Sequence, residues 1–102
     1  MIEKIDFARA KEIIDGTPDC VLIDVREEPE YLTGHAEDAY LLPVDEITEE
    51  TAALAIPSKS TTVLVYCRSG RRSADAARKL EALGYERIYD IGSLIGWPYG
   101  LV

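Results

Sequence analysis

The stretch Val63-Leu64-Val65-Tyr66-Cys67-Arg68-Ser69-Gly70-Arg71-Arg72-Ser73 limits the possible folds more than any other part of the chain. An apolar, β-branched run stops at a cysteine. A short loop rich in arginine and glycine follows, and an alanine-rich helical pattern begins at once. A second run, Cys20-Val21-Leu22-Ile23-Asp24-Val25, does not alternate apolar and polar residues, as expected of a strand buried on both faces. Strands of this kind, separated by helical stretches, predict an α/β domain with a mostly parallel central sheet of about five strands flanked by helices.

With 102 residues the chain is one domain, spanning residues 1–102, with material for a single core. Ile2–Ile5 reads as an edge strand. Asp6 can cap a helix over Phe7–Asp15, with Ala10, Ile13 and Ile14 inward and Gly16 as its stop. Pro29 suits the first turn of a short helix ending near Gly34. Ala39–Leu42 is a short strand closed by Pro43, and a helix starting at Asp45 or Thr48 reaches about Ala55. Thr62–Tyr66 is the central strand. The next helix runs from Arg71 or Arg72 to Leu83, with Ala74, Ala77, Leu80 and Leu83 on its inner face and Ala76 beside them. Gly84 ends it, and Tyr85 packs back over the last turn. Arg87–Ile91 is the last strand, and Gly92–Trp97 is a loop or short helix.

Composition excludes several functions. The net charge of −8 disfavours nucleic-acid binding, which needs a basic face. No apolar run approaches the roughly 20 residues that span a bilayer, and the N-terminal residues lack a secretory pattern. The expectation is a cytoplasmic protein that uses no membrane. One histidine and two cysteines without a Cys-x-x-Cys supply too few ligands for a zinc site, so no metal is expected. A cytoplasmic chain also argues against a disulfide between Cys20 and Cys67. Cys20, at the start of an apolar strand, reads as a small buried hydrophobe.

Against this acidic background, three of the seven arginines lie within five residues, at Arg68, Arg71 and Arg72. Positive charge at a helix start opposes the helix dipole, where Asp or Glu is the stabilising choice. A bound anion or a thiolate resolves the conflict. Gly70 permits the turn after Cys67, so the N–H groups of Arg68, Ser69, Gly70, Arg71, Arg72 and Ser73 can curl around the sulfur and bind an anion. That setting favours the thiolate, which is the nucleophile. Spacing then separates two chemistries. Cysteine-dependent phosphatases use Cys-x5-Arg. Here the pattern is Cys-x4-Arg, a tighter ring suited to one extra sulfur atom on the cysteine.

Several blocks in order now carry a resemblance: Asp24-Val25-Arg26-Glu27, Glu30-Tyr31, Gly34-His35, Pro43, the loop from Cys67 to Ser73, Gly84-Tyr85, and Gly92 with Trp97. The chain resembles the single-domain rhodaneses, which are sulfurtransferases. The resemblance implies that Cys67 takes a sulfane sulfur from a small anionic donor such as thiosulfate and becomes a persulfide. A thiol, cyanide or a protein acceptor then removes that sulfur, and no separate cofactor is needed. Arg68 and Arg71 would draw the donor and stabilise departing sulfite, while Arg72 would do the same or hold the loop by pairing with an acid. The resemblance also makes Asp24 and Arg26 a bracing ion pair beneath the site and puts Trp97 near the pocket wall. His35 reads as a hydrogen-bonded brace, since a thiolate ionised by its loop needs no base. The chain departs from the family pattern after Gly34-His35, where a usual Gly and Asn are missing, and at Gly92-Ser93, where paired glycines are common. Competing readings are a persulfide carrier for a partner protein, a phosphatase or arsenate reductase, and a non-enzymatic scaffold.

Overall fold

The computed structural model describes residues 1–102. Five strands, β1 (Ile2–Lys4), β2 (Cys20–Asp24), β3 (Tyr40–Leu41), β4 (Thr62–Cys67) and β5 (Arg87–Ser93), form one sheet in the order β1-β5-β4-β2-β3. Every pairing is parallel. Four helices cover it: α1 (Phe7–Gly16), α2 (Glu28–Leu32), α3 (Glu49–Ala55) and α4 (Arg71–Ala82). The expected α/β class and five-strand sheet are therefore what the chain adopts.

β4 lies at the centre and is buried along its whole length. Its side chains alternate between two cores, as the twofold period of a strand requires. Val63, Val65 and Cys67 pack with Ala76, Ala77 and Leu80 of α4 and with Ala52 and Ala55 of α3. Leu64 and Tyr66 face the other way, onto Ala10 and Ile13 of α1. The cysteine thus ends the strand on the α4 side.

Boundaries differ from the sequence expectation in informative places. Of the two expected helix starts, Thr48 is the one that caps α3, while Asp45 lies inside a separate 3-10 turn, Val44–Glu46, capped by Pro43. The inner face of α4 centres on Ser73, Ala76, Ala77 and Leu80, while Ala74 and Leu83 are only half-buried. The small Ser73 lets the first turn sit against the sheet. β5 also extends beyond Ile91 and takes in Gly92 and Ser93. It does so through a bulge: Val65 lies opposite Asp90, but Tyr66 lies opposite Gly92 and Cys67 opposite Ser93, so Ile91 is the extra residue. The buried Asp90 holds the bulge, its Oδ1 accepting the Gly92 N–H at 2.9 Å. No helix is long and apolar enough to cross a membrane.

Candidate active site

Cys67 is the last residue of β4, and its side chain is fully buried beneath the loop that follows. Gly70, at φ 98°, is the N-cap of α4. That left-handed conformation strains any residue with a Cβ. The turn brings the Gly70 N–H to Sγ at 2.9 Å. The amides of Arg68, Ser69, Arg71, Arg72 and Ser73 donate to no group of the protein. α4 has no side-chain cap, so its first-turn N–H groups remain free for an anion. Two serines hold the loop from its flanks. Ser73 Oγ donates to the Gly70 carbonyl at 3.0 Å, and Ser93 Oγ donates to the Arg68 carbonyl at 2.5 Å.

The three arginines divide. Arg68 and Arg71 are exposed and form no ion pair within the chain. Arg72 is engaged: its Nη1 and Nη2 donate to Glu30 Oε1 and Oε2 at 2.6 and 2.9 Å, joining α4 to α2. This forked geometry is the strong form of a carboxylate–guanidinium pair. The hydrogen bonds from Arg72 are the chief cause that lowers the Glu30 carboxyl to about 2, and the same bonds raise Arg72 above its ordinary value.

Asp24 and Arg26 form a second, deeper network. Arg26 Nε donates to Asp24 Oδ1 at 3.0 Å, and Nη2 donates to Oδ2 at 2.7 Å. The Tyr66 hydroxyl donates to the same Oδ2 at 2.6 Å and accepts the Ala36 N–H at 3.2 Å. Arg26 also reaches the Gly34 carbonyl at 2.8 Å. Burial first, and the bond to Asp24 second, push the Tyr66 phenol well above its usual range. Every buried side-chain nitrogen and oxygen of the chain finds a partner, so this network is satisfied rather than costly.

Arg26, Arg68 and Trp97, from three strand ends, line one cleft of about 220 Å³ together with Leu94, Ile95, Gly96 and Leu101. The structure therefore brings together three segments that are far apart in the sequence. Trp97 packs edge-on against Phe7 and Tyr99, at 5.4 and 4.9 Å between ring centroids. His35 does not line the cleft. Its ring stacks on Tyr31 at 3.7 Å, its Nδ1 bonds the Tyr31 carbonyl, and its backbone pairs with Val102 in both directions. Asp24 lies beneath the site. Cys20 sits near the opposite end of the sheet, free and half-buried, its thiol pKa raised first by burial and then by the charge of Asp19.

Three residues of this architecture escaped the sequence reading. Tyr66 looked like one more apolar strand residue. Glu30 was implied only as some acid to pair with Arg72. Ser93 stood out only as a departure from paired glycines, and its place beside Cys67 depends on the bulge.

Comparison with known proteins agrees with this fold. A family model described as "Rhodanese-like domain" matches residues 6–97. Thiosulfate sulfurtransferase PspE of Escherichia coli is 39% identical over 72 residues, covering 71% of this chain and 68% of PspE. A protein of Allochromatium vinosum named sulfurtransferase is 33% identical over 98 residues, covering 95% and 89%. A mitochondrial relative from Schizosaccharomyces pombe is 41% identical over 93 residues, and the chain spans 66% of that protein's length. Among solved structures, a rhodanese with anions from E. coli superposes with a TM-score of 0.75 at 35% identity, covering 81% of this chain and 96% of that one. The rhodanese-like domain of Alr3790 from Anabaena superposes with a TM-score of 0.85 over the whole chain and 80% of its own; at 21% identity it speaks to the fold alone.

Proposed function

The chain belongs to the rhodanese-like domain family, and we propose that it is a sulfurtransferase working through a persulfide on Cys67. Its homologues named sulfurtransferases support sulfur transfer as the general chemistry. The single observation that carries the finer reading is the loop: a thiol in contact with one backbone N–H, beneath a ring of amides that have no other partner.

In this reading the Cys67 thiolate attacks the outer sulfur of thiosulfate. A new S–S bond forms and the old one breaks, with its electron pair leaving on sulfite. The charge carried by the thiolate passes to the terminal sulfur of the persulfide. The loop amides stabilise that sulfur as an oxyanion hole stabilises an oxygen. Arg68 and Arg71 supply the charge that attracts the donor and eases sulfite away. An acceptor such as cyanide then takes the terminal sulfur as thiocyanate and returns the thiolate, a ping-pong cycle. Arg72 acts at one remove, holding α4 to α2 through Glu30.

Intact mass after incubation with thiosulfate tests the scheme. The expected gain is one sulfur atom per chain, absent in Cys67→Ser, with turnover to thiocyanate abolished in that variant. Undiminished transfer by Cys67→Ser would overturn the reading. A phosphatase is disfavoured, because the only arginine at a comparable position, Arg72, is tied to Glu30. A persulfide carrier remains the second reading, favoured by the exposed Ile95 and Leu101 that line the cleft beside Arg68. A mixed disulfide between Cys67 and one specific protein would distinguish it.

A further inference from the structure

We infer that Ser93 is a positioning residue for Cys67, setting the direction of a sulfur-binding amide from the neighbouring strand. The inference deepens the sulfur-transfer reading and rests on it for its functional readout, though not for its chemical one.

Three observations combine. First, the bulge at Ile91 sets Ser93 directly opposite Cys67, at the point where β4 gives way to the loop. Second, the end of β5 and the residue after it grip that point twice, and a third bond braces the hydroxyl. The Leu94 N–H donates to the Cys67 carbonyl at 2.9 Å, Ser93 Oγ donates to the Arg68 carbonyl at 2.5 Å, and the Ile95 N–H donates to Ser93 Oγ at 3.1 Å. The hydroxyl therefore both gives and receives, and its own orientation is fixed. Third, the C=O and N–H of one planar peptide point in opposite directions. Tying the Arg68 carbonyl to β5 turns the Ser69 N–H away from β5, into the loop that encloses Sγ. The Ser69 amide has no other partner.

Ser73 acts in the same way one step further on. Its hydroxyl and the Ala74 N–H both donate to the Gly70 carbonyl, at 3.0 and 3.2 Å, and together fix the Arg71 N–H. The Gly70 amide between them already meets the sulfur. The Arg68 and Gly70 carbonyls are thus pinned by groups of β5 and α4, and the amides that follow them face away from those anchors. Without the hydroxyl of Ser93, the Arg68–Ser69 peptide has no side-chain anchor and can rotate. An unaimed donor stabilises a developing anion less than a fixed one.

Ser93→Ala and Ser93→Thr, prepared in the full chain, test this. The alanine variant should lose about tenfold in kcat for transfer from thiosulfate to cyanide, with KM for thiosulfate changed by no more than about twofold. Its Cys67 should react about tenfold more slowly with iodoacetamide at neutral pH, and its Ser69 amide resonance should shift. The threonine variant keeps the hydroxyl and should recover most of each effect. A merely structural serine would change the melting temperature but leave alkylation per folded molecule as in wild type. Wild-type alkylation with an unmoved Ser69 resonance in Ser93→Ala would overturn the inference. If neither protein transfers sulfur but alkylation slows as stated, the sulfur-transfer reading falls and the positioning role stands.

Discussion

Helices α3 and α4 begin in opposite ways. α3 starts with Thr48, whose hydroxyl accepts the Thr51 N–H at 3.1 Å while the Thr51 hydroxyl accepts the Thr48 N–H at 2.8 Å. Glu49 and Glu50 occupy its first turn. Its orphan amides are thus partly satisfied and its dipole is complemented. α4 starts with Gly70, has no side-chain cap, and carries Arg71 and Arg72 in its first turn. By the rules of isolated helices α4 is the worse design. The difference shows what each helix start is for. α3 closes its own end, whereas α4 leaves its amides and positive charge to something outside the helix, and Cys67 lies where they converge. Its stability comes instead from packing, through the buried Ala76, Ala77 and Leu80.

Making α4 resemble α3 should damage chemistry more than fold. In Gly70→Asp a Cβ has room, since the nearest heavy atom would be Gly92 Cα at 3.8 Å, but φ of 98° strains it. The carboxylate would cap the free amides and set a negative charge beside the sulfur. A loss of about 100-fold or more in sulfur transfer is expected, set against roughly 1–2 kcal/mol of stability. Steady-state rates and chemical denaturation measure the two sides, and a variant with wild-type rates would erase the distinction between the helices. The converse change, Thr48→Ala, should cost about 1 kcal/mol in denaturation and leave the rate per folded molecule untouched.

The smallest effect concerns Glu30, which pairs with Arg72 in the first turn of α4. Its carboxyl is lowered to about 2 from an ordinary 4.5. A depressed acid stabilises the fold fully above its unfolded value and stops doing so as pH falls through its folded value. The contribution should therefore fade between about pH 4.5 and 2. The pair is about one third exposed, which keeps it on the order of 1 kcal/mol. Thermal midpoints of wild type and Glu30→Gln should differ near neutral pH and converge across that window. Parallel curves would assign the acid sensitivity to other carboxylates.

Much of this was legible in the sequence because local pattern determines it. The non-alternating runs at Cys20–Val25 and Val63–Tyr66 announced buried parallel strands, and the glycine and arginines after Cys67 announced an open helix start. What escaped depends on pairing between distant segments. Glu30 and Arg72 are 42 residues apart, as are Asp24 and Tyr66. A tyrosine within an apolar run gives no hint that its hydroxyl completes a buried carboxylate network. The inner face of α4 was placed a step too far along because the sequence reading favoured alanine and leucine over Ser73, yet a small polar residue fits there by bonding its own helix's N-cap carbonyl.

The bulge at Ile91 has a consequence for comparing chains by motif. In an unbroken ladder Gly92 would stand opposite Cys67, and Ser93 would fall one step beyond it. The shape of the pocket is thus decided partly by counting residues in a strand that contributes none of the residues from Cys67 to Ser73. Two proteins with the same seven letters in that loop, one with the extra residue and one without, would present differently aimed amides to the same sulfur. Identity of a signature is then not identity of an environment, and substitutions in β5 should alter sulfur chemistry that an alignment of the loop alone would call unchanged.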